Sequence, residues 1–488
     1  MTAPALAAVD LGASAGRVVA GEVSENRLVL HQVHRFPNIP VTVNGTLHWD
    51  VLRLYSEVLA GLGTAARQFS LASVGIDSWG VDYGLLDADG SLLGNPVHYR
   101  DQRTAGVAER LLGRITPAEL YQATGIQQLS FNTIYQLVAS ARSSQLGSAH
   151  TLLLIPDLLA YWLTGETGAE ITNASTTQLV DIRTRSWATP LMDRAGIPSG
   201  LFPAIRRPGA LIGELLPEAS EQAGLRSPLR VIAAASHDTA SAVAAVPADG
   251  TAFAYISCGT WSLAGVELDQ PVLTEASRVA NFTNEAGVDD KIRYLRNVMG
   301  LWLLQESMRS WAAAGNPATL SGLLAEAARQ EPLLAVVDAS DPAFLGPGEM
   351  PTRIAEACRR TGQNPPQSRA ALTRCILDSL ALAHRQAIHQ AQELSGCQAD
   401  TVHIVGGGAR NTLLCQLTAD AVGLPVVAGP VEAAAVGNIL IQARALGMGP
   451  SDLAGMRDLV RRSQRLHVYQ PSGSQQSWQS AARRAGLA

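Results

Sequence analysis

The chain has 488 residues, a net charge of −5, 47% hydrophobic and 16% charged residues. At about 150 residues per domain this is length for two to four domains with large cores, and the composition excludes a mainly disordered chain. The charge balance carries no excess of cations of the kind that marks a nucleic-acid binder.

The first elements read as strands joined by tight turns. Ala7 to Asp10 leads through Leu11-Gly12-Ala13-Ser14-Ala15-Gly16 into a second strand, Arg17 to Val23, and a third follows over Arg27 to His34. Helical spacing of Leu52, Leu54, Tyr55, Val58, Leu59 and Leu62 predicts a helix over 50–69, and Ser73 to Asp77 reads as a buried strand. Three strands, a helix and a strand begin an α/β layer. The stretch 117–215 reads mostly as helices, among them 134–144 and 155–164, the latter closed by Gly165. Leu229 to Ser236 reads as a buried strand ending at His237-Asp238.

A second cycle then begins. Ile256-Ser257-Cys258-Gly259-Thr260-Trp261 repeats the pattern of Val9-Asp10-Leu11-Gly12-Ala13-Ser14: apolar strand, polar residue, spacer, glycine, then another strand. The repeat points to two related halves. A long helix over 368–395, a strand over 401–405 and the triplet Gly406-Gly407-Gly408 complete the chain, with helix 412–421 after the triplet.

Glycine turns between strands let backbone N–H groups approach an anion, and Asp10 at the end of the first strand suits the water shell of a magnesium ion on a triphosphate. A plain hairpin turn accounts for Asp10-Leu11-Gly12 equally well. The Gly406–Gly408 triplet clears space for a flat ring, or is a flexible strand-to-helix turn. Asp238, just past a buried strand, stands where ligands collect in open α/β sheets; it can accept a hydroxyl proton in phosphoryl transfer, or cap the helix that follows.

Other groups are set aside. Lys291 is the only lysine among 37 basic residues and has no glycine-rich Walker turn before it. The five cysteines, with no CxxC pair, build neither a disulfide framework nor a zinc ribbon. His384 and His389 fall on different helix faces, which argues against a metal site, and His31 and His34 fall on opposite faces of a strand as surface residues. Tyr99-Arg100-Asp101 is either an anion clamp or a solvated turn. The first residues lack the basic segment of a signal peptide and no apolar stretch reaches the ~18 residues of a membrane span, so a reducing cytoplasm is the expected location.

Taken in order, Val9-Asp10-Leu11-Gly12-Ala13-Ser14, Ile76-Asp77-Ser78-Trp79-Gly80-Val81-Asp82, Tyr99-Arg100-Asp101, Phe131-Asn132-Thr133-Ile134-Tyr135-Gln136-Leu137, Ser236-His237-Asp238-Thr239-Ala240-Ser241, Ser257-Cys258-Gly259-Thr260-Trp261-Ser262 and His403-Ile404-Val405-Gly406-Gly407-Gly408 resemble the FGGY carbohydrate kinases, and within them the branch acting on rhamnulose. The resemblance implies an α/β fold of two actin-like (ribonuclease-H-fold) domains, 1–243 and 244–488, flanking a nucleotide and sugar cleft. It implies ATP and Mg2+ as cofactors and L-rhamnulose as the phosphoryl acceptor, with neither nucleic acid nor membrane as partner, in a monomer or weak homo-oligomer. Asp238 matches the family base. Ala13, Ser14, Ala15, Gly16 and Arg17 match the first phosphate loop, Thr260 the second, and Gln305 and Gly407 the nucleotide-facing positions. Gly80, His237 and Asn297 match sugar contacts, and Asp10 remains for magnesium. Two departures stand out: Ser257 where many actin-like ATPases carry aspartate, and Ala15 where a hydroxyl residue often sits. The alternatives are a kinase for another ketose, such as L-fuculose or a pentulose, and a non-catalytic ATP-binding regulator on the same fold.

Overall fold

The computed structural model describes residues 4–225 and 228–487. Strands β1 (Ala5–Leu11), β2 (Ala15–Ser24) and β3 (Arg27–Pro37) form the expected antiparallel meander. The helix Val51–Gln68, opened by Asp50, leads into β4 (Leu71–Ser78), which pairs in parallel with β1. Strands β5 (Leu211–Glu214) and β6 (Arg230–Ile232) complete a sheet in the order β5-β6-β4-β1-β2-β3. Strand β1 is buried at all seven positions, as a continuous apolar run in a sheet covered on both faces requires.

The second sheet contains β7 (Phe253–Cys258), β8 (Trp261–Leu268), β9 (Ile292–Met299), β10 (Thr401–Val405), β11 (Val426–Ala428) and β12 (His467–Tyr469), ordered β9-β8-β7-β10-β11-β12. The order β9-β8-β7-β10-β11 repeats β3-β2-β1-β4-β6 strand for strand, with an antiparallel β7–β8 pair and parallel β7–β10 and β10–β11 pairs. The two halves therefore share a topology.

The chain forms two compact units. The first takes the chain up to Asp249, Leu268–Tyr294 and Ala433–Gln464; the second takes Gly250–Glu267, Leu295–Glu432 and the chain from Arg465 onward. Both units are discontinuous in sequence, and the second is interrupted at 268–294 and again at 433–464. The reason for the later interruption is the helix Ala433–Ala445, which packs on the first sheet: Asn438 Nδ2 donates to Asp77 Oδ2 at 2.5 Å, and Gln442 exchanges hydrogen bonds with Ser73 Oγ (2.7 Å) and the Ala7 carbonyl (2.9 Å).

Glycines make that packing possible. A Cβ on Gly437 would overlap the Ser241 carbonyl of the neighbouring helix Asp238–Ala244, and one on Gly75 would run into Asn438 and Gln442.

Local signals behave as expected at several ends. Gly165, at φ +78°, closes the helix Ile155–Thr164. His31 and His34 differ from the expectation of plain surface residues: a bulge lies between them in the β2–β3 register, His31 reaches Glu22 (3.0 Å) with its ring tilted against Phe69, and His34 reaches Glu57 (2.7 Å) on the Val51–Gln68 helix.

The core also holds paired acids. Asp157, in the first turn of the Ile155–Thr164 helix, accepts from the Glu170 amide at 3.2 Å. Burial, and then the nearby Glu170 carboxylate, push its carboxyl up to about 8.

Two stability predictions follow from this packing. Gly437→Ala should cost about 1–3 kcal/mol through overpacking, seen as a lowered melting temperature, while Gly147→Ala, at an exposed helical position where a Cβ meets nothing within 4 Å, should not lower it and should raise it slightly. For Asp157 the folded pKa lies above the unfolded one, so its stabilising contribution is complete at low pH and is lost as pH rises from about 4 toward 8. Asp157→Asn should therefore gain on the parent protein in thermal melts between pH 5 and pH 8; a constant difference across that range would contradict the assignment.

Candidate functional site

Two adjacent parallel strands of the first unit carry acids near their ends, and a third acid follows on the segment beyond their neighbour β6. Asp10 on β1 lies directly opposite Asp77 on β4 in the pairing register. Beyond β6 the chain continues extended to His237, which bridges Ser78 in parallel, with the Ser78 amide donating to the Ser236 carbonyl at 2.9 Å. Asp238 follows as the first residue of its helix. His237, not Asp238, occupies the N-cap position, and it makes no side-chain capping bond.

Each acid is handled differently. Asp10, 3% exposed, takes the Arg17 guanidinium through Nε (2.9 Å) and Nη2 (2.8 Å). Asp77 is fully buried; burial first, then the charge of Asp10, raise its carboxyl well above the ordinary range, against the hydrogen bond from Asn438. Its Oδ1 is buried without a hydrogen-bond partner. Asp238 keeps 31% of its side chain open, yet its recess pushes the carboxyl upward, opposed mainly by His237.

Glu170 anchors the segment that carries Asp238. Its Oε2 accepts from the Ser236 amide (2.8 Å) and hydroxyl (2.9 Å), and the same side chain accepts from the amides of Thr172 (3.0 Å) and Asn173 (3.3 Å). Asn173 Nδ2 then reaches the carbonyls of Trp79 (3.4 Å) and Ser236 (3.3 Å), tying the turn after β4 to the Asp238 segment.

That turn is strained. Val81, a β-branched residue, holds φ +68°, and a Cβ on Gly80 would press on Thr176. It is held from behind by Asp82, whose Oδ2 accepts from Trp49 Nε1 (2.6 Å), Trp79 Nε1 (3.0 Å) and the Tyr99 amide (3.2 Å), and whose Oδ1 accepts from Gln136 (3.1 Å). Burial pushes the Asp82 carboxyl up to about 6 against those bonds. Tyr99 and Asp101 thus belong to the framework: Tyr99 is buried and Asp101 caps a turn and accepts from the Leu47 amide (2.9 Å).

The first glycine turn, Gly12 to Gly16, is closed by the Gly12 amide on the Ala15 carbonyl (2.9 Å) and braced by Asn38, which donates to the Gly12 carbonyl (3.0 Å). Ser14 is exposed, and Ala13 and Ala15 are half-buried.

The second unit gathers a different set. In the β7–β8 turn the Gly259 amide donates to the Trp261 carbonyl (2.7 Å), and the Thr260 carbonyl accepts from the amides of Gly300 and Trp302 (both 3.2 Å). Gln305 lies one turn into the helix Trp302–Ala313 that starts there. Gly406, at φ +83°, and Gly408 pack on Cys258, leaving no room for a Cβ on Gly408, whereas Gly407 is exposed and a Cβ there would meet nothing within 4 Å. Thr260, Gln305 and Gly407 all belong to this unit, and Asn297 lies half-buried on β9, also within it.

Glu170, Asp82, Glu285 and Arg293 escaped the sequence reading. Asp82 carries a weak signal in its Trp-Gly-Val-Asp string; the others sit in stretches with no motif. Among the described residues no cluster of three or more His, Cys, Asp or Glu is arranged to hold a metal ion. The carboxylate of Asp10, at the end of β1 beside the Gly12–Gly16 turn, is a hard oxygen donor of the kind that fits the water shell of a magnesium ion. Among the described residues no helix is long and apolar enough to cross a membrane.

Comparison with known proteins agrees with this architecture. The N-terminal domain profile of the FGGY family of carbohydrate kinases matches residues 5–245 and the C-terminal domain profile matches 254–446. The chain is 44% identical over 477 residues to a rhamnulokinase of Bacteroides thetaiotaomicron, covering 97% of each chain, and 41% identical to one of Oceanobacillus iheyensis, covering 95% of this chain and 97% of the relative. Among solved structures, a gluconate kinase from Lactobacillus acidophilus superposes with a TM-score of 0.78 at 18% identity, covering 99% of this chain and 96% of the other. The two repeated sheets, the acids at the strand ends and the matched profiles together make this chain a member of the FGGY family of carbohydrate kinases.

Proposed function

We propose that the protein transfers the γ-phosphoryl group of ATP to the 1-hydroxyl of L-rhamnulose, giving L-rhamnulose 1-phosphate and ADP in L-rhamnose breakdown. The observation that carries this reading is the likeness, over nearly the whole length, to relatives named rhamnulokinase. The geometry supplies a means for the chemistry.

Asp238 is the general base. As the sugar's 1-oxygen bonds to the γ-phosphorus and the bond from phosphorus to the β,γ-bridging oxygen breaks, the hydroxyl proton passes to an Asp238 carboxylate oxygen. A carboxylate raised by burial is a better proton acceptor than one in water, provided that it stays ionised. Activity should therefore fall as pH drops through that raised pKa. Gly80 and His237 on the first unit and Asn297 on the second are the assigned sugar contacts.

Ala13 to Arg17, Thr260, Gln305 and Gly407 are the assigned nucleotide contacts, where glycine turns admit phosphate oxygens and the bare face of Gly407 admits the base. The Arg17 guanidinium would act from its position on Asp10. When bound with the nucleotide, magnesium would neutralise phosphate charge, and Asp10 would hold its water shell.

ADP release with Mg-ATP should give the highest kcat/KM for L-rhamnulose against L-fuculose, D-xylulose, L-ribulose and glycerol; a higher value for another ketose would replace the substrate and keep the mechanism. Asp238→Asn should melt like the parent yet lose about 10²- to 10⁴-fold in kcat, and full turnover would remove Asp238 as base. Gly407→Val has room to fold, so it should raise the KM for ATP and leave the KM for sugar in place; an unchanged KM for ATP would remove Gly407 from the nucleotide site.

A further inference from the structure

Behind Asp238 lies an ion pair with almost no surface. Arg293, at the start of β9, is completely buried, and its partner Glu285, on the strand Thr283–Ala286, is 4% exposed. Withdrawing two charges from water is costly, and an apolar pair of the same volume is often as stable. Such a pair persists where it performs a specific task.

The contacts identify one. Arg293 Nε donates to the Ala286 carbonyl (3.0 Å) and Nη2 to the Thr172 carbonyl (3.1 Å), while Nη1 lies 2.9 Å from Glu285 Oε2 and 3.1 Å from His237 Nδ1. A guanidinium can only donate, so His237 Nδ1 must accept, and the ring proton sits on Nε2. That nitrogen faces Asp238 Oδ1 across 3.6 Å, longer than a hydrogen bond, as catalytic contacts often are without substrate. Glu285 Oε2 lies 3.3 Å from the same Nδ1 and would draw a proton onto it if Arg293 were not there.

We propose that Arg293 is a positioning residue which, paired with Glu285, fixes His237 as the Nε2–H tautomer and so keeps Asp238 ionised and oriented for proton abstraction. The proposal rests on the reading of Asp238 as the base. The groups facing Asp238 are His237 and Thr239 on its own segment, Arg293 from β9, Glu285 behind His237, and Asp77 from β4, itself beside Asp10 and Arg17. Of these, His237, Thr239 and Arg293 favour the carboxylate against burial.

The tautomer is read directly by imidazole nitrogen NMR on histidine-labelled protein, with His237→Gln assigning the signal, and without any substrate. The wild-type protein should show His237 protonated at Nε2. In Arg293→Met the proton should move to Nδ1, kcat/KM for L-rhamnulose should fall by about tenfold or more, and the acid limb of its pH profile should move upward by about one pH unit. Arg293→Lys, which keeps a donor and a charge, should restore the Nε2 proton and most of the activity.

Nδ1–H in the wild-type protein overturns the proposal, as does an Arg293→Met enzyme whose acid limb stays in place. Should that variant not fold, the wild-type spectrum and Arg293→Lys decide: an Nδ1 proton in either, or a lysine variant no more active than Asp238→Asn, rejects it. Failure of the base itself is separate, since full turnover by Asp238→Asn would remove the base and leave the tautomer spectrum unchanged.

Discussion

Three carboxylates withdrawn from water at the ends of neighbouring parallel strands are the constraint around which the first unit is built. Like charges in such a place repel one another and each loses its hydration. The structure meets this with a separate solution for each. Asp10 receives the fork of Arg17; Asp77, with a hydrogen bond from Asn438, is pushed toward its neutral form; only Asp238 keeps a substantial open face. Environments that drive neighbouring acids apart are also how one site obtains groups with different proton-transfer roles.

The second support comes from a distant part of the chain. The helix Ala433–Ala445 is apolar over most of its length but carries Asn438 and Gln442, both fully buried, on the side facing the first sheet. Those amides satisfy Asp77, Ser73 and the Ala7 carbonyl, while Gly437 lets the Asp238 helix approach closely. A single helix thus hydrogen-bonds one acid and lets the helix that carries another approach closely. It also explains why the compact units do not follow the sequence halves.

What could be read from the sequence was what depends on neighbours in the chain. The strand and helix positions, the Gly165 cap and the acids Asp10 and Asp238 at strand ends all announce themselves through local pattern. The repeated strand order was visible as a short echo between Asp10-Leu11-Gly12 and Ser257-Cys258-Gly259. Glu170, Arg293 and Glu285 were invisible for the opposite reason: each acts on a segment far away in sequence and stands in a stretch with no motif of its own, while Asp82 showed only as the end of its Trp-Gly-Val-Asp string, which gives no hint that it holds Trp49. The bulge that separates His31 from His34 was equally hidden, because one extra residue in a strand leaves no compositional mark.

The repeated topology carries opposite chemistry in its two copies. At the ends of β1, β4 and β6 the first unit collects acids, whereas at the corresponding ends of β7 and β10 the second unit has Ser257, Gly259 and the Gly406–Gly408 turn packed on Cys258. Carboxylates attract hydroxyl donors and repel phosphates; bare glycine backbone admits phosphates and a flat base and offers no charge against them. The same order of strands thus presents two different surroundings at its strand ends, acids in the first unit and uncharged glycine turns in the second.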